Sequence, residues 1–384
     1  MKDWLNQCHF GDCLEVMRRL PDNCVDSIVT DPPYGISFMG KKWDYDVPAV
    51  EVWAEALRVL KPGGYLLVFA GTRTQHRMAC RIEDAGFEIR DMIAWVYGSG
   101  FPKSHNGEWG GTALKPALEP ITMARKPFSG TVAANWEEHG TGALNIDGCR
   151  IATENNLNGG AYSSERKPSD SEWVKHGGTI HSSTGQEFVQ PEGRWPANLI
   201  HDGSDEVVAM FPQSAGQQGD VRGTEVSRTG GENTNCYGKF GRIPAAARND
   251  IGSASRFFYC AKASKEDRNE GCSGLSAKTG GMVSNTSGQH ITRRDGGAPG
   301  PRANHHPTVK PTDLMRYLLR LVTPPNGIAL DMFMGSGSTC CAAVLEGFQF
   351  IGIDFEAEYV EIARARTDSA RRQGFQSSLD LEAA

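Results

Sequence analysis

Several absences in this 384-residue sequence narrow the field before any motif is considered. No stretch approaches the roughly 18 consecutive apolar residues that a membrane-spanning helix requires, and the opening MKDWLNQCHF holds no apolar signal core. A soluble chain in the cytoplasm is the expectation. The ten cysteines form no C-x-x-C knuckle, and only Cys8/Cys13 and the adjacent Cys340-Cys341 fall close together. Free thiols are therefore expected in place of disulfides or zinc, and because no histidine has metal-ligand spacing, no metal is expected. Basic charge is not in excess: 40 Lys and Arg against 46 Asp and Glu leave a net charge of −6. A polyanionic partner would have to meet a local basic surface. Two phosphate signatures are also missing, G-x-x-x-x-G-K-[ST] and the full G-x-G-x-x-G.

What is present begins as alternating strands and helices. Val25–Thr30 reads as a short apolar strand, and Val50–Leu60 as a helix with Val52, Ala56, Leu57 and Leu60 on one face. Lys61-Pro-Gly-Gly64 is expected to stop that helix before a strand over Tyr65–Ala70, and a helix from about Thr74 to Ala85 precedes a strand over Glu88–Val96. From Gly98 to about Asn304 the composition shifts to Gly, Ser, Thr and Asn. Trp109, Trp136, Trp173 and Trp195, with apolar islands such as Val207–Phe211 and Phe257–Ala261, still argue for a loop-rich folded region. Tyr162–Gly185 and Lys278–Arg302 are expected to be its mobile parts. The alternation returns with a helix over Pro311–Val322, a strand over Ile328–Phe333, a helix to Glu346, a strand over Phe348–Asp354 and a last helix expected to fray after Thr367. The expectation is one α/β sheet split between the chain ends: residues 1–100 and 305–384 form the core, and 101–304 an insertion.

Two constellations carry chemistry. In Asp331-Met-Phe-Met-Gly335-Ser-Gly337, glycines between a strand and a helix let backbone approach a ligand, and the helix start offers unpaired N–H groups. Asp354 ends the next strand about 20 residues on, where a carboxylate can accept both hydroxyls of a ribose. The pair suggests an adenosine-type cofactor without a pyrophosphate, although a plain tight turn would use the same glycines.

The second is Asp31-Pro-Pro-Tyr34 at the end of the first strand. Pro32 and Pro33 fix the chain extended and cannot donate, so carbonyl groups face outward in a set array. An amino group on a heteroaromatic ring is a poor nucleophile, because its lone pair is delocalised until acceptors pull on its hydrogens. Asp31 and the Pro32 carbonyl can supply two acceptors, and Tyr34 can stack on the ring.

Together, Asp31-Pro-Pro-Tyr34 and Phe333-Met-Gly-Ser-Gly337 resemble the S-adenosylmethionine-dependent DNA amino-methyltransferases. The tetrapeptide precedes the glycines, an order similar to the circularly permuted β class. Gly11-Asp12-Cys13-Leu14 looks like the family's segment beside the cofactor adenine, and His306-Pro-Thr-Val-Lys-Pro311 like the segment before the cofactor strand. Gly193-Arg-Trp-Pro-Ala-Asn198 and Phe257-Phe-Tyr-Cys-Ala-Lys262 are similar to a phage and prophage subgroup. The resemblance implies a Rossmann-like class I methyltransferase sheet with Asp31, Pro32, Pro33 and Tyr34 at the target base. It places Phe333, Gly335, Ser336 and Gly337 along the cofactor, Asp331 by its amino-acid end, Asp354 on the ribose, Asp12 and Cys13 by the adenine, and Thr308 and Lys310 near the methionine. Met332 stands where many members have Pro, and Asp354 where many have Glu.

In the family, Asp at the first tetrapeptide position usually accompanies adenine N6 methylation and Ser cytosine N4 methylation. The resemblance thus implies transfer to a flipped-out adenine in double-stranded DNA by a homodimer. Cytosine N4 methylation, a protein or RNA methyltransferase and an inactive DNA-binding regulator are the alternatives. The insertion would recognise the target, with Arg125, Lys126, Arg150, Arg166, Lys167, Arg222, Arg228, Arg242, Arg293 and Arg294 as candidate phosphate or guanine contacts.

Overall fold

β-branched and aliphatic runs from both ends of the chain meet in one sheet in the computed structural model, which describes residues 1–36, 44–100, 106–154, 157, 191–214, 234–235, 238–239, 252–261, 267–279 and 301–382. Two compact units result: Met1–Cys149, Ala197–Val207 and Tyr259–Ala384 make the first, Arg150–Pro196 and Val208–Phe258 the second.

The first unit runs β1 (Gln7–Phe10), α1 (Cys13–Met17), β2 (Val25–Thr30), α2 (Val50–Val59), β3 (Leu60–Phe69), α3 (Gln75–Asp84), β4 (Glu88–Val96), β5 (Leu118–Arg125) and α4 (Val132–His139). It continues with β6 (Leu199–His201), β7 (Tyr259–Cys260), α5 (Thr312–Val322), β8 (Ile328–Asp331), α6 (Ser338–Leu345), β9 (Gln349–Asp354) and α7 (Ala357–Glu382). The nine strands lie in the order β1-β9-β8-β2-β3-β5-β4-β6-β7. Every neighbouring pair is parallel except those of β5, which runs antiparallel to β3 and β4. Helices cover both faces: α1, α2 and α3 bury Met17, Trp53 and Ile82 on one, while α5, α6 and α7 bury Leu318, Ala342 and Ala363 on the other. β2 is buried at all six positions, as a parallel strand covered on both faces should be. Its polar residues are paired, Ser27 Oγ lying 2.8 Å from Thr323 Oγ1.

The interval 101–304, expected as a single insertion, instead supplies β5, β6 and β7 to the sheet. β5 was hidden by its flanks: Pro116 precedes it and Pro120 lies within it, yet Ile121, Thr122, Met123 and Ala124 are all buried. Lys61-Pro-Gly-Gly64 does more than stop α2. Val25 pairs with Leu60 and Ser27 with Tyr65, so these four residues bulge within β3, with Gly63 at φ +76°. The last helix continues past Thr367, held by buried Ala370 and by Arg371, which donates to the Asn6 carbonyl at 2.6 Å and to Asp368 at 2.7 Å. Lys278–Thr279 pairs antiparallel with Pro301–Arg302, and 280–300 between them lie outside the described residues.

In the second unit Ile151–Ala152 pairs antiparallel with Gly193–Arg194, and Gln213–Ser214 with Gly252–Ser253. Arginines stack on its rings: Arg150 lies over Trp195 at 5.4 Å, and Arg194 and Arg256 over Phe257 at 4.5 and 4.4 Å. Tyr162–Gly185 lies outside the described residues. Among the described residues no helix is long and apolar enough to cross a membrane.

Candidate active site

Adjacent strands bring the two motifs together. β8 pairs with β2 through Ala329 opposite Ser27 and Leu330 opposite Ile28, so Asp331 emerges beside Thr30. The Thr30 hydroxyl donates to Asp331 Oδ1 at 2.6 Å, a bond spanning 301 residues of sequence. Both motifs leave the sheet at its carboxyl edge, where open α/β sheets bind ligands.

On the tetrapeptide side, Asp31 Oδ2 accepts from Lys310 Nζ at 2.7 Å and Oδ1 from the Tyr34 hydroxyl at 2.7 Å. Glu119 of β5 joins them, its Oε2 lying 3.2 Å from Lys310 Nζ and 3.0 Å from the Tyr34 hydroxyl. Lys310 Nζ also lies 4.9 Å from the centre of the Phe69 ring and 5.6 Å from that of Tyr34. The lysine, expected near the methionine, puts its ammonium on Asp31. Burial disfavours that charge, but the Asp31 and Glu119 carboxylates outweigh it and hold the ammonium above its ordinary pKa. Burial first, then the same two carboxylates, pushes the Tyr34 phenol well up, so it stays a neutral donor. After Tyr34 the chain turns through Gly35 (φ +66°), whose N–H donates to buried Asp44 at 2.8 Å.

On the glycine side, Met334 donates to the Ile353 carbonyl at 3.0 Å and Gly337 to the Met334 carbonyl at 2.8 Å. Gly335 and Gly337 take φ +51° and +80°. A Cβ on Gly335 would stand 2.7 Å from His306 Nε2, and one on Gly337 2.8 Å from Ala363 Cβ. The cradle therefore excludes side chains. Asp354 braces it, Oδ2 accepting from Gly335 N–H at 2.9 Å and Oδ1 from Glu356 N–H at 2.9 Å. Ser336 is buried, its carbonyl and hydroxyl accepting from the inward Arg366 guanidinium at 2.7 and 3.1 Å. Phe333 is partly buried, and its N–H donates to Asp331 Oδ1 at 3.1 Å. Close backbone, two acids at strand ends and an opening helix fit an adenosine-type cofactor held by Asp331, Phe333, Gly335 and Asp354.

The remaining sequence candidates have visible local duties. Asp12 caps α1, accepting from Leu14 and Glu15 N–H at 3.0 and 3.1 Å. Cys13 begins that helix with a thiol pushed up to about 12 by burial and by Asp12, which leaves it a neutral, unreactive group. Thr308 is exposed, with its carbonyl 2.8 Å from His306 Nδ1. Burial lowers the His306 imidazole to about 4, so a neutral ring closes one side of the glycine cradle. Of the basic candidates, Arg125 is tied to Glu88 at 2.7 Å and Lys126 to the Leu60 carbonyl at 2.7 Å, inside the sheet framework. Arg150 donates to the Gly193 carbonyl at 3.1 Å, while Arg166, Lys167, Arg222, Arg228, Arg242, Arg293 and Arg294 lie outside the described residues. Among the described residues no cluster of His, Cys, Asp and Glu could hold a metal ion.

Burial also raises Asp331, to about 6, against hydrogen bonds from Thr30, Thr339 and Phe333. A carboxyl whose folded pKa exceeds its unfolded one binds protons more tightly when folded, so its contribution to stability falls as pH rises through about 6. Asp331→Asn keeps the acceptor oxygen but cannot ionise. Its stability relative to wild type, measured by urea unfolding, is therefore expected to improve by about 1.4 kcal/mol between pH 5 and pH 8.

A family model of DNA methylases matches residues 25–365, an interval that includes the tetrapeptide, the glycine cradle and Asp354. The chain belongs to the DNA methylase family. The type II methyltransferase M.HindIII of Haemophilus influenzae is 33% identical over 116 residues, covering 25% of this chain and 38% of that protein. M1.MboII of Moraxella bovis, also a type II methyltransferase, is 48% identical over 58 residues, covering 15% and 22%. This family member thus spans between 22 and 38% of the length of those curated relatives. The solved PvuII DNA methyltransferase, described as cytosine-N4-specific, is 16% identical, with a TM-score of 0.46 over 96% of this chain and 92% of that one.

Within this DNA methylase the sequence reading missed Glu119 and Asp44, and named His306 in a motif without giving it a role. Glu119 had no motif around it. The signal that finds it is the register, which sets Glu119 of β5 directly opposite Trp95 of β4.

Proposed function

We propose that this methylase transfers a methyl group from S-adenosylmethionine to the exocyclic amine of a base flipped out of double-stranded DNA, and that the base is adenine, methylated at N6. The observation that carries this reading is the Thr30–Asp331 bond at 2.6 Å, which sets the Asp31 acceptor site and the glycine cradle on neighbouring strands. When bound, the cofactor supplies an electrophilic methyl group on a sulfonium. Asp331, Phe333, Gly335 and Asp354 would hold it, with Ser336 fixing the turn through Arg366.

The chain's own residues handle the acceptor. Asp31 and the Pro32 carbonyl draw on the two amine hydrogens, which returns the lone pair to nitrogen and points it at the cradle. Tyr34 offers its ring face to the base. Asp at position 31, in place of Ser, supports adenine over cytosine. Methyl-labelled S-adenosylmethionine presented with DNA, RNA and protein tests the class, and nucleoside analysis of the DNA product tests the base. Label in N4-methylcytosine would replace adenine with cytosine, and label only in protein or RNA would remove DNA.

Target recognition belongs in this reading to the second unit, whose Trp195 is 65% exposed beneath Arg150. Ala152 and Gly193 pair antiparallel, so residues 153–192 can be replaced by a short turn without altering the first unit's sheet. That variant is expected to retain methyl transfer but lose site preference, as read by single-molecule base-modification sequencing. Unchanged site choice would move recognition elsewhere. The homodimer implied by the family is part of the same proposal and is read by sedimentation.

A further inference from the structure

Asp31 must accept from the amine, yet both its oxygens are engaged, Oδ2 by Lys310 and Oδ1 by Tyr34, each at 2.7 Å. The Tyr34 hydroxyl has one hydrogen and two acceptors within reach, Asp31 Oδ1 at 2.7 Å and Glu119 Oε2 at 3.0 Å. It can donate to only one. The Lys310 ammonium is likewise divided between Asp31 at 2.7 Å and Glu119 at 3.2 Å. All three charged side chains are shielded, Lys310 at 8% exposure, Asp31 at 19% and Glu119 at 20%.

We propose that Glu119 is the positioning residue that frees Asp31: by taking the Tyr34 hydroxyl and a share of Lys310, it leaves Asp31 Oδ1 both of its lone pairs for the incoming amine. This inference rests on the amino-methyltransferase reading above. Glu119 has a second effect through charge. Two carboxylates and one ammonium leave the cluster at −1, matched to the positive charge that develops on the amine nitrogen. Without Glu119, Asp31 and Lys310 make a neutral pair, and the Tyr34 hydrogen has Asp31 as its partner. The other ionisable neighbours do not substitute. Tyr97 faces Glu119 as a phenol raised by burial and by that carboxylate, His306 is held neutral, and Asp331 is committed to Thr30 and Phe333.

Glu119→Gln keeps an oxygen for Tyr34 but loses the charge, whereas Glu119→Leu loses both. Two readouts apply to the full chain. Trace amine labelling between about pH 8 and pH 10 reports how firmly Lys310 holds its proton, with Lys61, paired to Asp26 at 2.6 Å, as internal control. Single-turnover transfer to methylation-free bacterial DNA reports the chemistry. In Glu119→Gln, Lys310 labelling is expected to rise at least about fivefold with Lys61 unchanged, and transfer to slow about 10- to 100-fold at a cofactor affinity within about threefold of wild type. Glu119→Leu is expected to be slower still, and in a Tyr34→Phe background the gap between the Gln and Leu variants should narrow, because only Lys310 remains to be accepted. Unaltered Lys310 labelling overturns the proposal whether or not DNA is methylated. So does a Glu119→Gln rate within threefold of wild type, or a Gln–Leu difference that Tyr34→Phe leaves undiminished. A wild-type protein that transfers nothing to DNA sinks the parent reading by itself, while the labelling still decides whether Glu119 holds Lys310.

Discussion

Replacing Asp31 by Ala is expected to slow methyl transfer by about 10³-fold while S-adenosylmethionine still binds with near wild-type affinity. The size follows from what the carboxylate does. An aromatic amine becomes nucleophilic only when its hydrogens are drawn out of the ring plane, and the Pro32 carbonyl alone supplies one acceptor. Removing Asp31 also leaves Lys310 beside Glu119 and Tyr34 with no counterpart on the amine side, so a positive group faces a nitrogen that is itself becoming positive. The cofactor side is untouched, because Asp331 and Asp354 are held by Thr30, Phe333, Gly335 and Glu356 and by no bond to Asp31. Single-turnover kinetics and calorimetric titration of the cofactor separate the two quantities. An active Asp31→Ala protein would remove the tetrapeptide from the chemistry.

The second large effect is expected at Gly337. Alanine there must adopt φ +80° with its Cβ 2.8 Å from Ala363 Cβ and 3.0 Å from Ala363 Cα. The obstacle is helix α7 itself, which cannot swing aside as the end of a long side chain could. The left-handed conformation costs about 1–2 kcal/mol and the overpacking about 1–3 more, and the displaced turn should weaken cofactor binding by at least about tenfold. Gly347 supplies the comparison. It has φ +77° but open space where a Cβ would go, so Gly347→Ala should show the conformational cost alone and leave cofactor affinity unchanged. Urea unfolding and cofactor titration of the two variants read the difference. Equal behaviour would mean that α7 does not press on the cradle.

Much of this site could be read from sequence because its motifs are local. Pro32 and Pro33 dictate their own backbone, and Gly335 and Gly337 occupy conformations that other residues avoid, so each leaves a mark within a few residues. Asp354 was found by its spacing, one strand-helix-strand step beyond the cradle, and the structure turns it onto Gly335 N–H. Glu119 could not be found that way, because it matters through the pairing of β5 with β3 and β4, and pairing partners leave no mark in a single sequence. Lys310 was singled out by its segment, but its bond to Asp31 was not legible there: the turn after His306 carries its ammonium to that carboxylate. Asp12 shows the reverse case, a motif residue whose visible bonds are those of a helix cap. The loop-rich composition around β5 concealed a strand, since Gly-, Pro- and Ser-rich flanks dominate a window that also holds Ile121, Met123 and Ala124.

The pairing of β2 with β8 also has a consequence for how the chain is made. During synthesis β2 appears early and β8 some 300 residues later, so for most of translation one margin of β2 lacks its partner strand and leaves backbone groups unanswered. Contacts of such long separation form late and slowly. In the proposed reading, no chain that stops short of β8 carries both halves of the centre. A fragment ending before Pro311 should restore transfer only when the missing C-terminal piece is supplied alongside it.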